Sequence, residues 1–412
     1  MSRLDHVLRS GIVDGRLCDI GIALGRIAAL APKLDTEAHE IDLAGRLVLP
    51  GFVDSHIHLD KACLLDRCGH VRGGVRAAIA AVSKLKTEFT VEDIYARGAK
   101  VIEQAITHGT THMRTHVELD PRIGLRGFQA VSALKKDYAW ALDLQICAFP
   151  QEGMTQKPES ENLLITALEH GADVLGGCPY TDAQPQVQIN RLFALARHFD
   201  VDLDFHLDFD LDTSWQHLDL VCRQAVLMDF QGRVSVGHVT KLSALPPERF
   251  DAASEMLIES GVAVTALPAT DLYLNGRDHT QNVPRGVTPV HRLAEQGVTC
   301  AIATNNVLNP FTPFGDASLL RMANLYAHVA QVEPKQFGDC LDLITTHPAR
   351  MLKLKDYGIG VGKKADIVVL DAASTKEALA RPASAVMTFK DGRQTSARRA
   401  VKLLFPACQC DR

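Results

Sequence analysis

Apolar and polar positions alternate along this chain in two different rhythms. Between residue 51 and about residue 350, short apolar runs recur, separated by longer amphipathic stretches. The runs over 110–117, 141–149, 174–178, 201–207, 234–239, 262–267 and 300–303 read as strands. The stretches over 91–108, 161–170 and 187–199 read as helices, as do one running through residue 221 and one through residue 258. Repeated strand–helix alternation predicts a parallel sheet. About eight such units fit a (β/α)8 barrel better than an open doubly wound sheet. No Gly-x-Gly-x-x-Gly stands at a strand–helix junction, which counts against a dinucleotide fold.

Outside that region the rhythm is shorter. Residues 20–24 and 27–30 flank a turn at Gly25-Arg26 and read as a hairpin, and 41–50 reads as a further strand. The tail repeats the pattern at 362–371 and 385–389, then at 400–404 after a turn at Asp391-Gly392. Both ends are β-rich, and the simplest packing joins them. The expected organisation is a small β domain from 1–50 and 355–412, with the barrel domain over 51–354.

Composition adds exclusions. The 412 residues are 46% hydrophobic and 23% charged, with a net charge of −5. Nothing here suggests nucleic acid or an anionic membrane as partner. No apolar run is long enough to span a bilayer, and Met1 to His6 carries no export signal. The ten cysteines are scattered without a Cys-x-x-Cys pair, which points to reduced thiols and a cytoplasmic setting. Cys408 and Cys410 are close together near the end and read as incidental.

The chemistry concentrates at the expected strand ends. In Gly51-Phe-Val-Asp-Ser-His-Ile-His-Leu-Asp60, a strand over 52–59 puts His56 and His58 on one face, since side chains alternate with a period of two. Two imidazoles at the end of a buried strand suit one divalent metal. Catalytic side chains of such barrels stand at the C-terminal ends of the strands. The polar residues expected there are His56, His58, Arg114, His116, Gln151, Glu152, His206, His238, Asn305 and Asn306. No lysine stands at the ends of the strands over 142–149 and 174–178 to bridge two ions, so one metal is expected.

These elements resemble the amidohydrolase superfamily, specifically the cytosine deaminase branch that includes N-isopropylammelide hydrolases. The resemblance covers almost the whole chain. It rests on residues 51–60, His112-Met-Arg-Thr-His-Val117, Phe149-Pro-Gln-Glu-Gly153 and Gly237-His238. It continues through Asn309-Pro-Phe-Thr-Pro-Phe-Gly315 and Tyr357-Gly-Ile-Gly-Val-Gly362 to Ala365-Asp-Ile-Val368. It implies a distorted (β/α)8 barrel beside a β-sandwich built from both chain ends. It also implies one zinc or iron ion held by His56, His58 and His206. His238 would contact the activated water or the substituent of the attacked carbon, and Gln151 would hydrogen-bond a small heterocycle. Asn306 falls within the range the branch allows and counts as a second substrate contact. A homo-oligomer is also implied. The metal lowers the pKa of a water, hydroxide attacks an amidine-like carbon, and ammonia or an amine leaves.

Two positions depart from that pattern. Asn305 stands where the family has a metal-touching aspartate, and an amide is a weak ligand and a poor base. Phe209 stands where the family has a proton-carrying glutamate. Asp202, Asp204, Asp208 and Asp210 alternate with apolar residues around His206. Were the strand to stay regular, Asp208 or Asp210 would be placed as a proton shuttle or extra ligand, and Asp208 is the catalytic candidate. Asp204 would instead orient a histidine, and Asp210 would cap the next helix. Arg114 and His116 are expected to be structural, and Asp271 and Asp278 to lie in a solvated loop after Leu267, with a reach to the pocket mouth as the alternative. The expected function is metal-dependent hydrolysis of a non-peptide C–N bond in a small nitrogen heterocycle, with the ion bound less tightly than is usual. The alternative is a degenerate member that binds a heterocycle without efficient turnover.

Overall fold

The structure is a computed structural model that describes residues 3–68, 73–399 and 401. Eight parallel strands follow one another around a barrel in chain order: Phe52–Ile57, Thr110–Glu118, Asp143–Phe149, Val174–Gly177, Asp202–Leu207, Val234–His238, Ala263–Ala266 and Cys300–Ile302. Their residues are almost all buried, as expected of a parallel sheet covered by helices. The last strand meets the first through Asn305, which pairs with Ile57. Its N–H donates to His56 O (2.8 Å), and its carbonyl accepts from His58 N–H (2.9 Å). The residue expected as a doubtful ligand therefore also closes the barrel, between the two histidines.

A second eight-stranded sheet is built from both chain ends. Leu47–Pro50 pairs antiparallel with Ile367–Leu370, joining strands from the front of the chain to strands from the tail. Arg16–Ala23 and Arg26–Ala31 form the expected hairpin. The fold class is therefore the one read from the pattern, a (β/α)8 barrel beside a β unit made from both termini.

Three elements differ from expectation. The strand expected over 41–50 is two, His39–Asp42 and Leu47–Pro50, because Ala44 and Gly45 both take positive φ (52° and 71°) and turn the chain. The helix expected to run through residue 221 begins only at Leu218, after a loop that starts at Asp208. The last strand is Arg393–Ala397. Apart from Val401, the strand expected over 400–404 lies outside the described residues, as do Met1, Ser2, Cys408 and Cys410. Among the described residues no helix is long and apolar enough to cross a membrane.

Candidate active site

The barrel brings three imidazoles to one point. His56 Nε2 lies 3.1 Å from His206 Nε2, and His58 Nε2 lies 3.0 Å from the same atom. All three rings are at most 2% exposed. Each ring has its own support. His58 Nδ1 is 3.2 Å from His116 O, which makes Nδ1 the protonated nitrogen and leaves Nε2 its lone pair. His56 stacks on His116 at 3.8 Å, and His206 stacks on Phe149 at 4.5 Å. Gly237 leaves room for the His56 ring, since a Cβ there would meet its Cε1 and Nδ1 at 3.0 Å. Burial, reinforced by neighbouring imidazoles, holds all three well below the ordinary histidine pKa, so they are neutral donors.

Such a cluster fits a divalent ion. Two imidazole nitrogens on one ion stand about 3 Å apart, and His206 Nε2, which is either one donor or one acceptor, cannot hydrogen-bond both other rings at once. Asn305 strengthens the fit. It takes the left-handed conformation (φ 62°), is 1% exposed, and neither Oδ1 nor Nδ2 finds a hydrogen-bond partner. A buried amide without partners is costly, and a cation beside its oxygen would relieve that cost.

The other expected residues are distributed around this point. Gln151 is buried, with Oε1 accepting from Lys61 Nζ (3.1 Å) and Nε2 directed at Cys178 Sγ (3.3 Å). Asn306 Oδ1 accepts from Asn309 Nδ2 (2.8 Å). Arg114 and His116 are both tied to Asp204, Arg114 Nη1 at 2.9 Å and His116 Nε2 at 3.4 Å. Asp204 is thus held inside the barrel and bonds to none of the three clustered rings. Burial pushes Asp54 and Asp60 up to about 6.

Two acids correct the expectation. Asp208 does not continue the strand. Its φ of 47° breaks the alternation, and its carboxylate accepts from the N–H groups of His217 (2.9 and 3.1 Å) and Leu218 (3.0 Å). Both oxygens accept from the start of the helix Leu218–Leu227, and neither is hydrogen-bonded to the three imidazoles or to His238. Asp210 is half-exposed and pairs with Lys241 (3.0 Å), so it neither enters the site nor caps that helix. Phe209 is buried and stacks on the His238 ring at 3.8 Å and 14°.

Asp271 departs from the solvated-loop expectation. Asp271 is fully buried, and its Oδ1 lies 2.6 Å from His238 Nδ1. Burial pushes its carboxyl up, while His238 opposes the shift. Asp278 is exposed, as expected. Lys61 donates to Glu118 (2.6 Å), and Lys86 contacts Glu118 (3.2 Å), Asp120 and Glu152, forming a buried ionic network beside Gln151. The available signal was position, because loops after barrel strands crowd the C-terminal face.

The amidohydrolase family pattern matches residues 39–130 and 71–396. The chain belongs to the amidohydrolase family. Membership makes it a hydrolase of carbon–nitrogen bonds other than peptide bonds. It is 30% identical over 403 residues to N-isopropylammelide isopropyl amidohydrolase of Pseudomonas sp. (strain ADP), covering 94% of this chain and 96% of that protein. It is 28% identical over 383 residues to pterin deaminase of Rhizobium rhizogenes, covering 91% and 87%. Among solved structures, 5-methylcytosine deaminase of Klebsiella pneumoniae bound to 5-fluorocytosine superposes with a TM-score of 0.91 at 29% identity, over 99% of this chain and 100% of that one. These relatives of the family are deaminases and hydrolases of heterocycles.

Proposed function

We propose that this protein hydrolyses a C–N bond of a small nitrogen heterocycle, releasing ammonia or an amine. The observation that carries the reading is the convergence of three buried, neutral imidazole nitrogens at 3.0–3.1 Å beside an amide without partners. His56, His58 and His206 would hold one zinc or iron ion, with Asn305 Oδ1 completing the set. When bound, that ion supplies a water acidified enough to be a nucleophile near neutral pH. Lys61 takes the Gln151 oxygen, so Gln151 offers N–H donors and selects a ring with an acceptor at that edge. Asn306, its oxygen held by Asn309, is the second contact. Phe209 offers an apolar surface where a hydrogen-bonding glutamate would suit cytosine, which favours rings lacking that donor pattern. A cytoplasmic homo-oligomer belongs to the same reading. Eight described cysteines that are all free support the setting, and light scattering would count the subunits.

Metal analysis tests the site. Zinc or iron should bind near one equivalent on addition and be lost in His206→Ala. Asn305→Asp should hold the ion on the order of tenfold more tightly, because a carboxylate restores anionic charge. Ammonia or amine release should then be screened over aminopyrimidines, pterins and N-alkylated hydroxytriazines, with iron, zinc and manganese each supplied. Metal that stays bound in His206→Ala would overturn the site. A His206-dependent ion without turnover of any ring would favour the binding-only alternative, to which Asn305 and Phe209 already lend support.

A further inference from the structure

We infer that Asp271 is a positioning residue for the hydrolytic step, fixing His238 as the Nδ1–H tautomer so that Nε2 remains its proton acceptor. The inference rests on the hydrolytic reading above and supplies what that reading lacks. The two positions where the family pattern carries proton-handling carboxylates hold Asn305 and Phe209, and Asp208 is tied to a helix start.

None of the other acids near the three imidazoles pairs with His238, although Asp54 Oδ2 and Asp60 Oδ1 are buried without a partner. Asp54 accepts from the N–H of Thr304 (3.2 Å), and Asp60 from that of Glu118 (2.9 Å). Glu118 is paired with Lys61 and Lys86, and Asp204 with Arg114. Asp271 alone among these places an oxygen 2.6 Å from a nitrogen of His238. Its second oxygen accepts from Leu267 N–H (3.1 Å), so the carboxylate cannot swing away without losing a buried bond. An ionised carboxylate only accepts hydrogen bonds. The proton between the two groups therefore belongs to Nδ1, and Nε2 keeps its lone pair.

The rest of the surroundings holds the ring still. Phe209 stacks on one face at 3.8 Å, and the His206 ring centre is 5.7 Å away. The backbone here is strained. His238 and Val239 both have positive φ (70° and 42°), which bulky L residues rarely adopt, and Val239 is β-branched. Thr288 Oγ1 donates to the carbonyls of both, at 2.7 and 3.0 Å, and Val239 N–H donates to Leu207 O (2.9 Å). Asp271, Phe209, Thr288 and Leu207 thus cooperate to aim one imidazole.

The proton count closes on this pair. As the water oxygen bonds to the ring carbon, Nε2 takes the water's proton, and Asp271 stabilises the cation. That proton then passes to the departing nitrogen as the C–N bond breaks. The imidazole ends neutral, and ammonia or an amine leaves.

The test begins with the unaltered protein. Histidine ¹⁵N spectra of the metal-free chain, assigned with His238→Gln, should show Nδ1 protonated and Nε2 bare. Asp271→Asn presents an amide N–H to Nδ1 and should switch the ring to the Nε2–H tautomer. In the metal-loaded enzyme kcat should fall on the order of 10³–10⁴-fold, the scale of a wrong-tautomer histidine, with KM and metal content nearly unchanged. Asp271→Glu should recover part of the loss, which a purely structural role would not predict. An Nε2–H signal in the unaltered protein overturns the inference without any variant. So does an Asp271→Asn enzyme whose kcat lies within threefold of the parent. If the unaltered protein turns over no heterocycle, the hydrolytic reading fails, while the tautomer measurement still decides what Asp271 does to His238.

Discussion

Lys86 shows how a single buried charge is maintained beside the candidate site. Its side chain is 2% exposed, and its ammonium meets Glu118, Asp120 and Glu152. Burial opposes the charge, but the three carboxylates outweigh it and hold the amine above its usual range. In return Glu152, which burial would raise, is drawn by Lys86 and Lys157 down to about 2. A carboxyl whose folded pKa lies below its ordinary value of 4.5 stabilises the fold fully above that pH. The contribution fades as pH falls from about 4.5 toward 2. Lys86→Met should therefore cost about 3–5 kcal/mol at pH 7, the scale for stranding buried charge. Urea unfolding should show the gap between variant and parent narrowing as pH drops through that window. A gap independent of pH would mean that the alkyl stem's packing, not its charge, is what matters. Residues differ in how legible such roles are. His-x-His and the strand-end histidines announce themselves by spacing. Asp271 reads only as a loop acid, because it meets a histidine 33 positions earlier only once the strand Ala263–Ala266 lies beside the strand that ends at His238.

At the scale of elements, Asp208, expected as a proton shuttle or extra ligand, binds a helix start instead. The strand reads over 201–207 and does end at Leu207; only the alternation beyond it, to residue 210, fails, because the left-handed turn at Asp208 redirects the chain. No periodicity argument sees such a turn, since it depends on backbone conformation and not on polarity. The carboxylate then collects the orphan N–H groups of His217 and Leu218, which every helix start must satisfy. Thr240 Oγ1 and Lys241 Nζ pin the intervening loop by donating to the carbonyls of Asp208, Asp210, Asp212 and Trp215. Asp208→Ala should destabilise the protein by about 1–3 kcal/mol, the cost of leaving buried donors unpaired. Specific activity of the folded fraction should stay within a few-fold. Normal stability with a hundredfold loss of kcat would return Asp208 to the chemistry. The barrel strands themselves were legible to within a few residues, because each is a buried apolar run between amphipathic helices. Helices such as Val75–Leu85 and Pro268–Leu274 were not, as they belong to loops elaborated around the site.

At the scale of the molecule, the two sheets are joined by ionic and apolar contacts. The joining of the chain ends was readable because both ends carry short strands with unpaired edges, which must find partners. The means of attachment was not readable, since it is a meeting of four residues far apart in sequence. Lys390 Nζ lies 3.0 Å from both Asp143 and Asp366, and His112 Nε2 lies 3.4 and 3.6 Å from the same two acids. Asp143 and His112 belong to the N-terminal halves of barrel strands, whereas Lys390 and Asp366 belong to the terminal sheet. Val368, Leu370 and Ala385 of that sheet also share one apolar cluster with the barrel core. The Lys390 ammonium sits on both carboxylates of this His-Asp-Asp group, so the group, although compact enough for an ion, is already filled. Calorimetry should therefore show a single cooperative transition for the parent. Lys390→Met should lower stability by about 2–3 kcal/mol, below the full cost of a stranded buried charge because Asp143 is half-exposed. Burial raises the Asp143 carboxyl, but His112 and Lys390 together hold it well below its ordinary range, so the loss should shrink in acid as Asp143 takes up a proton. Turnover at 25 °C should not change, since this junction lies at the opposite end of the strands from the three imidazoles. Two separated transitions in the variant would mean that the ammonium is what couples the sheets. A single transition shifted downward would mean that the shared apolar core suffices.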